Sequence, residues 1–212
     1  MENTDIDSYL DFVNEYKDYY AQSPKMRYIL DRDSLIEHVS KYGNAIGIKS
    51  RSKFNIFVVD LVVDVDGRMM EYQRVIPAFK GGVVIVPVYN GRYLLLNQYR
   101  HMIGKDQLCF PRGFGEYGLD PEENARAEIL QEAGCTDCEM THLGHLYPDS
   151  GLTSNKVDVF RCEMHNMSEK IGHEGIYGYR LVTEDELRQL IMNGEIDDGF
   201  TLSAFTLDNA HR

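Results

Sequence analysis

Basic residues are in short supply: 22 Lys and Arg against 34 Asp and Glu leave a formal charge of −12 over 212 residues. Binding along a nucleic-acid backbone needs clustered Lys and Arg, so this balance argues against it. A small anionic ligand stays open, because a metal ion in a local pocket brings the positive charge the chain lacks. Long apolar runs are also missing. No stretch reaches the roughly 18 apolar residues of a membrane-spanning helix. The opening "MENTDIDSYLDF" is acidic and has no apolar h-region, so the expectation is a soluble cytoplasmic protein without a signal peptide. Cysteine is limited to Cys109, Cys135, Cys138 and Cys162. Cys135 and Cys138 form a C-x-x-C with no second pair at matching spacing, so they are read as small apolar residues rather than as a zinc or redox pair. No disulfide framework is implied, and there are no repeats or low-complexity linkers.

What is present suits an ordinary globular chain with a real core: 43% hydrophobic and 26% charged residues. The length allows one domain with an extension, or two small ones. Residues 1–45 read as helical, since "IDSYLDFVNEYKDYY" and "SLIEHVSKYG" space apolar residues three and four apart, with a break at Ser23-Pro24. Tyr9, Tyr16, Tyr19 and Tyr20 are expected to pack this segment against a neighbour. From residue 54 the pattern becomes that of strands. One hairpin turns at Asp66-Gly67 and a second at Asn90-Gly91. Pro87 suggests an edge position or a bulge in the second hairpin. Strands are expected near 138–147 and 156–165. A helix follows, capped by Thr183 with Glu186 and stopped by Gly194, and then another over "DGFTLSAFTLDNA". The order predicts a mixed-sheet α/β or α+β domain with a helical preface.

The chemistry concentrates in "PRGFGEYGLDPEENARAEILQEAGC", Pro111 to Cys135. Asp120 as cap, Pro121 at the first position, Glu123 completing a capping box and Gly134 as stop predict a well-bounded helix. Glu128 and Glu132 are four apart and share a face, with Gln131 beside them. Carboxylates so placed repel unless a cation lies between them, although an isolated pair is commonly a solvated acidic face. Oxygen ligands suit Mg²⁺ or Mn²⁺, and the glycine-rich loop lets backbone come close to a metal or a phosphate. Together these parts describe a metal site for a diphosphate.

These residues resemble the Nudix box, G-x5-E-x7-R-E-U-x-E-E-x-G-U with U apolar. Gly113 takes the first glycine, Glu128 the glutamate after the arginine, and Ile129 the apolar position. Glu132 takes the last glutamate, Gly134 the second glycine and Cys135 the final U. The box is degenerate. Leu119 replaces the first glutamate, Ala127 the arginine and Gln131 the penultimate glutamate. The paired loss at Leu119 and Ala127 is read as repacking of loop onto helix. Arg126 either takes part of the missing arginine's role or pairs with Glu122. Gln131 can accept through its oxygen but brings no charge and cannot act as a base. The run "VIVPVYNGRYLLLNQYRHMIGKDQLCFPRGFGE" and the segment "MNGEIDDGFTLSAF" are similar to the ADP-ribose pyrophosphatase branch of the Nudix hydrolases, so the likeness covers roughly residues 54–210.

The resemblance implies a Nudix α/β/α sandwich with a mixed sheet over 46–212, preceded by a helical extension over 1–45. The strand hairpin within 46–80 would lie at a homodimer interface. It further implies an Mg²⁺- or Mn²⁺-dependent pyrophosphohydrolase cleaving a nucleoside diphosphate linked to another moiety, of the ADP-ribose or nucleotide-sugar class. Glu128, Gln131, Glu132 and the Arg112 carbonyl would hold metal. Arg100, Arg112 and Gly113 would meet substrate, and Glu174, or His173 beside it, would serve as base. Glu116 is a further candidate acid, and Asp149 and Ser150 are candidates for a substrate-side loop. A different class remains open: a catalytically weakened Nudix-fold protein that binds or senses a nucleotide.

Overall fold

The computed structural model describes residues 4–43, 46–79, 81–116, 118–168 and 175–212. They form two compact units, Met1–Ala78 with Asp149–Asn155, and Phe79–Pro148 with Lys156–Arg212.

The first unit contains α1 (Thr4–Glu15), a 3-10 turn at Lys17–Tyr19, β1 (Met26–Tyr28), α2 (Arg32–Tyr42), β2 (Gly47–Arg51), β3 (Asn55–Asp64) and β4 (Met69–Pro77). The break expected at Ser23-Pro24 is thus followed by a short strand, not directly by a helix. β3 is the spine: β4 runs antiparallel along one edge, and β2 and β1 share the other. The Asp66-Gly67 turn closes the β3–β4 hairpin, with Gly67 at φ 78°. Tyr9, Phe12 and Leu35 from the helices share one core with Ile56, Val58, Leu61 and Ile76 from the strands. The sequence reading placed a boundary at 45/46, whereas these shared apolar contacts group the helices with the strands up to Ala78. Inside this unit Asp60 is fully buried and accepts from Tyr9 Oη at 2.7 Å, Tyr20 Oη at 3.1 Å and Arg74 Nε at 2.6 Å. The tyrosines therefore pack as expected and also satisfy a buried carboxylate, which would be costly unpaired.

The second unit contains β5 (Gly82–Tyr89), β6 (Arg92–Arg100), β7 (Lys105–Cys109), β8 (Arg112–Phe114), α3 (Pro121–Ala133), β9 (Cys138–Leu146), β10 (Val157–Met164), β11 (Ile176–Val182), α4 (Glu184–Met192) and α5 (Gly199–Ala210). Among the described residues its sheet has seven strands, with β5 and β10 parallel and the other pairings antiparallel. Alternation along β5 builds the sandwich. Val83 and Ile85 pack with Ala125, Ile129 and Ala133 of α3, while Val84, Val86 and Val88 pack with Leu187 of α4 and Ala204 and Phe205 of α5. The β5–β6 turn has Asn90 at φ 51° and Gly91 at φ 72°, the double left-handed geometry that favours Asn-Gly.

Pro87 departs from the edge position offered for it. It lies at no edge, because β5 is flanked by β10 on one side and by β6 and β8 on the other. It falls between the short pairing of Gly82–Val84 with β8 and that of Val88–Tyr89 with β6, where this side of the ladder is interrupted. A missing N–H costs little there. β7, β8 and β11 were not anticipated. β8 has only three residues, β7 is polar ("KDQLC"), and β11 contains Gly178. No helix among the described residues is long and apolar enough to cross a membrane.

Candidate active site

The acidic helix forms as its sequence dictates. Asp120 accepts from Glu123 N at 2.8 Å, Glu123 reaches back to Asp120 N at 3.0 Å, and Gly134 closes the helix at φ 63°. The helix is then fixed to the loop that precedes it. Asn124, 2% exposed, donates from Nδ2 to the Phe114 carbonyl at 3.0 Å, and its Oδ1 accepts from Glu116 N at 3.4 Å. Sequence reasoning passed over this residue. Its signal was a helix-interior amide where Ala or Leu would be the better helix former.

The two glutamates meet this loop in different ways. Glu128 lies against Gly113 so closely that a β-carbon there would come within 1.7 Å of Oε1 and 1.9 Å of Cδ. The glycine makes the space that the carboxylate fills. Glu132, 8% exposed, accepts from the Arg112 backbone N–H at 3.1 Å. Burial, and then the neighbouring Glu128, push the Glu132 carboxyl up to about 8, while that hydrogen bond and the charges of Arg100 and Arg112 pull the other way. Two acids so placed resist ionising together, and an added cation relieves both burial and repulsion. The available donors are the two carboxylates, the Gln131 amide on the exposed side of the same helix and the Arg112 carbonyl. All are oxygens, so the residues fit a hard divalent ion such as Mg²⁺ or Mn²⁺.

Two arginines bring positive charge to the same place. Arg112 Nη1 donates to Asp198 Oδ1 at 2.8 Å, and its guanidinium sits 4.4 Å from the centre of the Phe200 ring. Burial holds the Arg112 guanidinium below its ordinary value, with Asp198 opposing. Asp198 is also the cap of α5: its Oδ2 accepts from Thr201 N at 3.0 Å and from the Thr201 hydroxyl at 2.7 Å, and that hydroxyl accepts from Phe110 N at 2.9 Å. One buried aspartate thus joins a helix start to the arginine beside the acids. The sequence reading expected a helix over this segment but named neither this cap nor its arginine partner. Arg100 Nη2 points to Cys109 Sγ at 3.7 Å, and its Nε is buried without a hydrogen-bond partner among the described residues. Burial raises the Cys109 thiol.

The remaining expectations sort plainly. Arg126 pairs with Glu122 at 2.8 Å and donates to the Cys138 carbonyl at 3.1 Å, so it does not turn toward the loop. Leu119 is 40% exposed, which does not fit the reading of the Leu119 and Ala127 changes as repacking of loop onto helix. Glu116 is exposed. Asp149 accepts from Gly151 N at 3.1 Å within a turn, and both Asp149 and Ser150 belong to the first compact unit. Glu174 and His173 lie outside the described residues.

Comparisons with known proteins bear on family and fold. The sequence model of the NUDIX domain matches residues 79–211. The ADP-ribose pyrophosphatase of Bacillus subtilis (strain 168) is 27% identical over 167 residues, covering 74% of this chain and 89% of that protein. The crystal structure of an ADP compounds hydrolase superposes with a TM-score of 0.66 at 18% identity, covering 78% of this chain and 90% of that one, a likeness of fold.

Proposed function

Because the chain belongs to the NUDIX family, we propose that it is a metal-dependent pyrophosphohydrolase that cleaves a nucleoside diphosphate linked to a second moiety, with ADP-ribose first among the substrates to try. One observation carries this reading: Glu128 lies in the space left by Gly113, and Glu132 is held by the Arg112 N–H on the adjoining strand. A merely solvated acidic face would point its carboxylates to water rather than into the loop. The name of the Bacillus subtilis relative supports the choice of substrate.

Glu128 and Glu132, with the Gln131 oxygen and the Arg112 carbonyl, are the groups that would hold Mg²⁺ or Mn²⁺. When bound there, the ion supplies positive charge to phosphate oxygens and lowers the pKa of water. Everything else falls to the chain. Arg100 and Arg112 meet the charge of the diphosphate, and Asp198 with Phe200 keeps the Arg112 guanidinium from swinging out. Gly113 gives its open side to the Glu128 carboxylate rather than to substrate, and so seats that acid. Glu174, or His173 beside it, takes the proton from the attacking water. Gln131 removes one negative charge from the acid set, so metal affinity is lower than a full set would give. The reading includes a cytoplasmic homodimer, for which Phe54, Val65, Met69 and Tyr72 on and around the β3–β4 hairpin offer exposed apolar surface.

The test is phosphate release from a panel of nucleoside diphosphate derivatives in Mg²⁺ and Mn²⁺, coupled to a phosphatase. Turnover that disappears in Glu132→Gln supports hydrolysis at this helix. Metal-dependent nucleotide binding without turnover across the panel would replace the enzyme with a sensor.

A further inference from the structure

Cysteine is gathered, not scattered, in this fold. The Sγ atoms of Cys135, Cys138 and Cys162 lie within 4.8 Å of one another. Cys135 follows the Gly134 cap of α3, Cys138 opens β9 and Cys162 lies on β10. In the β9–β10 ladder Cys138 pairs with Met164 and Cys162 with Met140, which makes the two cysteines diagonal neighbours on one face. The stretch between Cys135 and Cys138 is held rigid. Asn166 Oδ1 accepts from Thr136 N at 2.9 Å and Asp137 N at 3.2 Å, and the Asp137 carbonyl accepts from His165 N at 2.9 Å.

Core packing by itself does not collect thiols. As small apolar groups they fill gaps wherever gaps occur. A tetrahedral ion with sulfur bonds of about 2.3 Å sets its sulfurs roughly 3.8 Å apart, so these three need only a small contraction to close on one. Charge agrees. Three thiolates around a divalent ion sum to −1, and Arg126 Nη1 lies 3.6 Å from Cys138 Sγ to offset it. Cys135 and Cys162 are buried while Cys138 is half-buried, which gives an ion a way in from solvent. Among the described residues no His, Asp or Glu joins the three at this spacing, so the fourth position goes to water or another small ligand.

We infer that Cys135, Cys138 and Cys162 form a site for a thiophilic divalent metal ion of the zinc class, separate from the oxygen site of Glu128 and Glu132. Without the ion, burial keeps the Cys135 and Cys162 thiols protonated, and binding displaces those protons to solvent. The ion ties the C-terminal end of the acidic helix to β9 and β10.

Reduced protein, kept anaerobic and in excess Mg²⁺, is titrated with Co²⁺, which Zn²⁺ then displaces. The expected result is a thiolate-to-cobalt charge-transfer band that saturates at one equivalent and is unchanged in Glu132→Gln. In Cys138→Ala the affinity falls at least about 100-fold. Arg126→Gln, which removes no thiol, weakens binding without abolishing the band, and it serves as the test if Cys138→Ala does not fold by thermal melt. Cobalt binding with no charge-transfer band overturns the inference. So does a band lost in Glu132→Gln but kept in Cys138→Ala, or affinity unchanged in both Cys138→Ala and Arg126→Gln.

Discussion

At Gly113 there is room for hydrogen and nothing larger, since any β-carbon would meet the Glu128 carboxylate at 1.7 Å. Gly113→Ala is expected to displace Glu128 and lower kcat/KM by about 100-fold or more, a loss of the kind a 1 Å misplacement causes, while the β5–β8 pairing keeps the fold; kinetics alongside a thermal melt checks both halves. Glu132 has a pH signature of its own. A carboxyl pushed up to about 8 from an ordinary 4.5 holds its proton more tightly folded than unfolded. Its cost to stability is absent below the ordinary value, grows as pH rises through this window and is complete above about 8, where it is on the order of a few kcal/mol. Metal-free protein should lose stability over that range, and Glu132→Gln should be the more stable protein at high pH though inactive. A Tm series against pH, with and without Mg²⁺, would show it; a flat difference between the two proteins would refute it. At this scale the sequence disclosed the glutamates, because i, i+4 spacing fixes a shared face. It did not disclose Asn124, whose partners Phe114 and Glu116 depend on how the loop folds back onto the helix, or Asp198 and Cys162, whose partners lie far along the chain: Cys162 meets Cys138 only because β10 pairs with β9.

Elements were legible where their signals are local. The caps of α3 and α4 and the Asn90-Gly91 turn follow from a few adjacent residues, and each forms with the expected partners. The edge position offered for Pro87 was wrong because it depends on which strands flank β5 and where their pairings stop, which no local pattern encodes. β11 was missed for a related reason: its pairing with β6, not its composition, makes it a strand. In the first unit, one buried carboxylate on β3, Asp60, connects the neighbouring hairpin strand β4 through Arg74 with the distant α1 through Tyr9. Asp60→Ala strands the Arg74 guanidinium, 8% exposed, without its counter-charge and should cost about 3–5 kcal/mol. Asp60→Ala with Arg74→Met should recover much of that loss, because removing both charges leaves apolar groups to pack. Denaturant unfolding of the two variants decides the matter. If the double variant is no better than the single, the network owes its strength to the tyrosine hydrogen bonds.

Over the whole molecule, charge was the readable property. The −12 balance argued against nucleic acid, and the positive groups near the acids, Arg100 and Arg112, are few and local as a small anionic substrate requires. The grouping of the strands up to Ala78 with the helices was not readable, since apolar periodicity cannot tell which core a strand will join. Self-association belongs to this scale as well. Exposed Phe54, Val65, Met69 and Tyr72 lead us to expect a species of twice 24.4 kDa by sedimentation equilibrium, and a monomer at every concentration would remove the dimer from the proposal. One detail of the division bears on how the protein comes into being. Residues Asp149–Asn155 belong to the first unit, where Val75 N donates to the Leu152 carbonyl at 2.8 Å and Ser154 N donates to the Val75 carbonyl at 3.2 Å. On the ribosome, the first unit must therefore wait for its final segment until half of the second has been synthesised, and no single cut in the chain yields either unit whole.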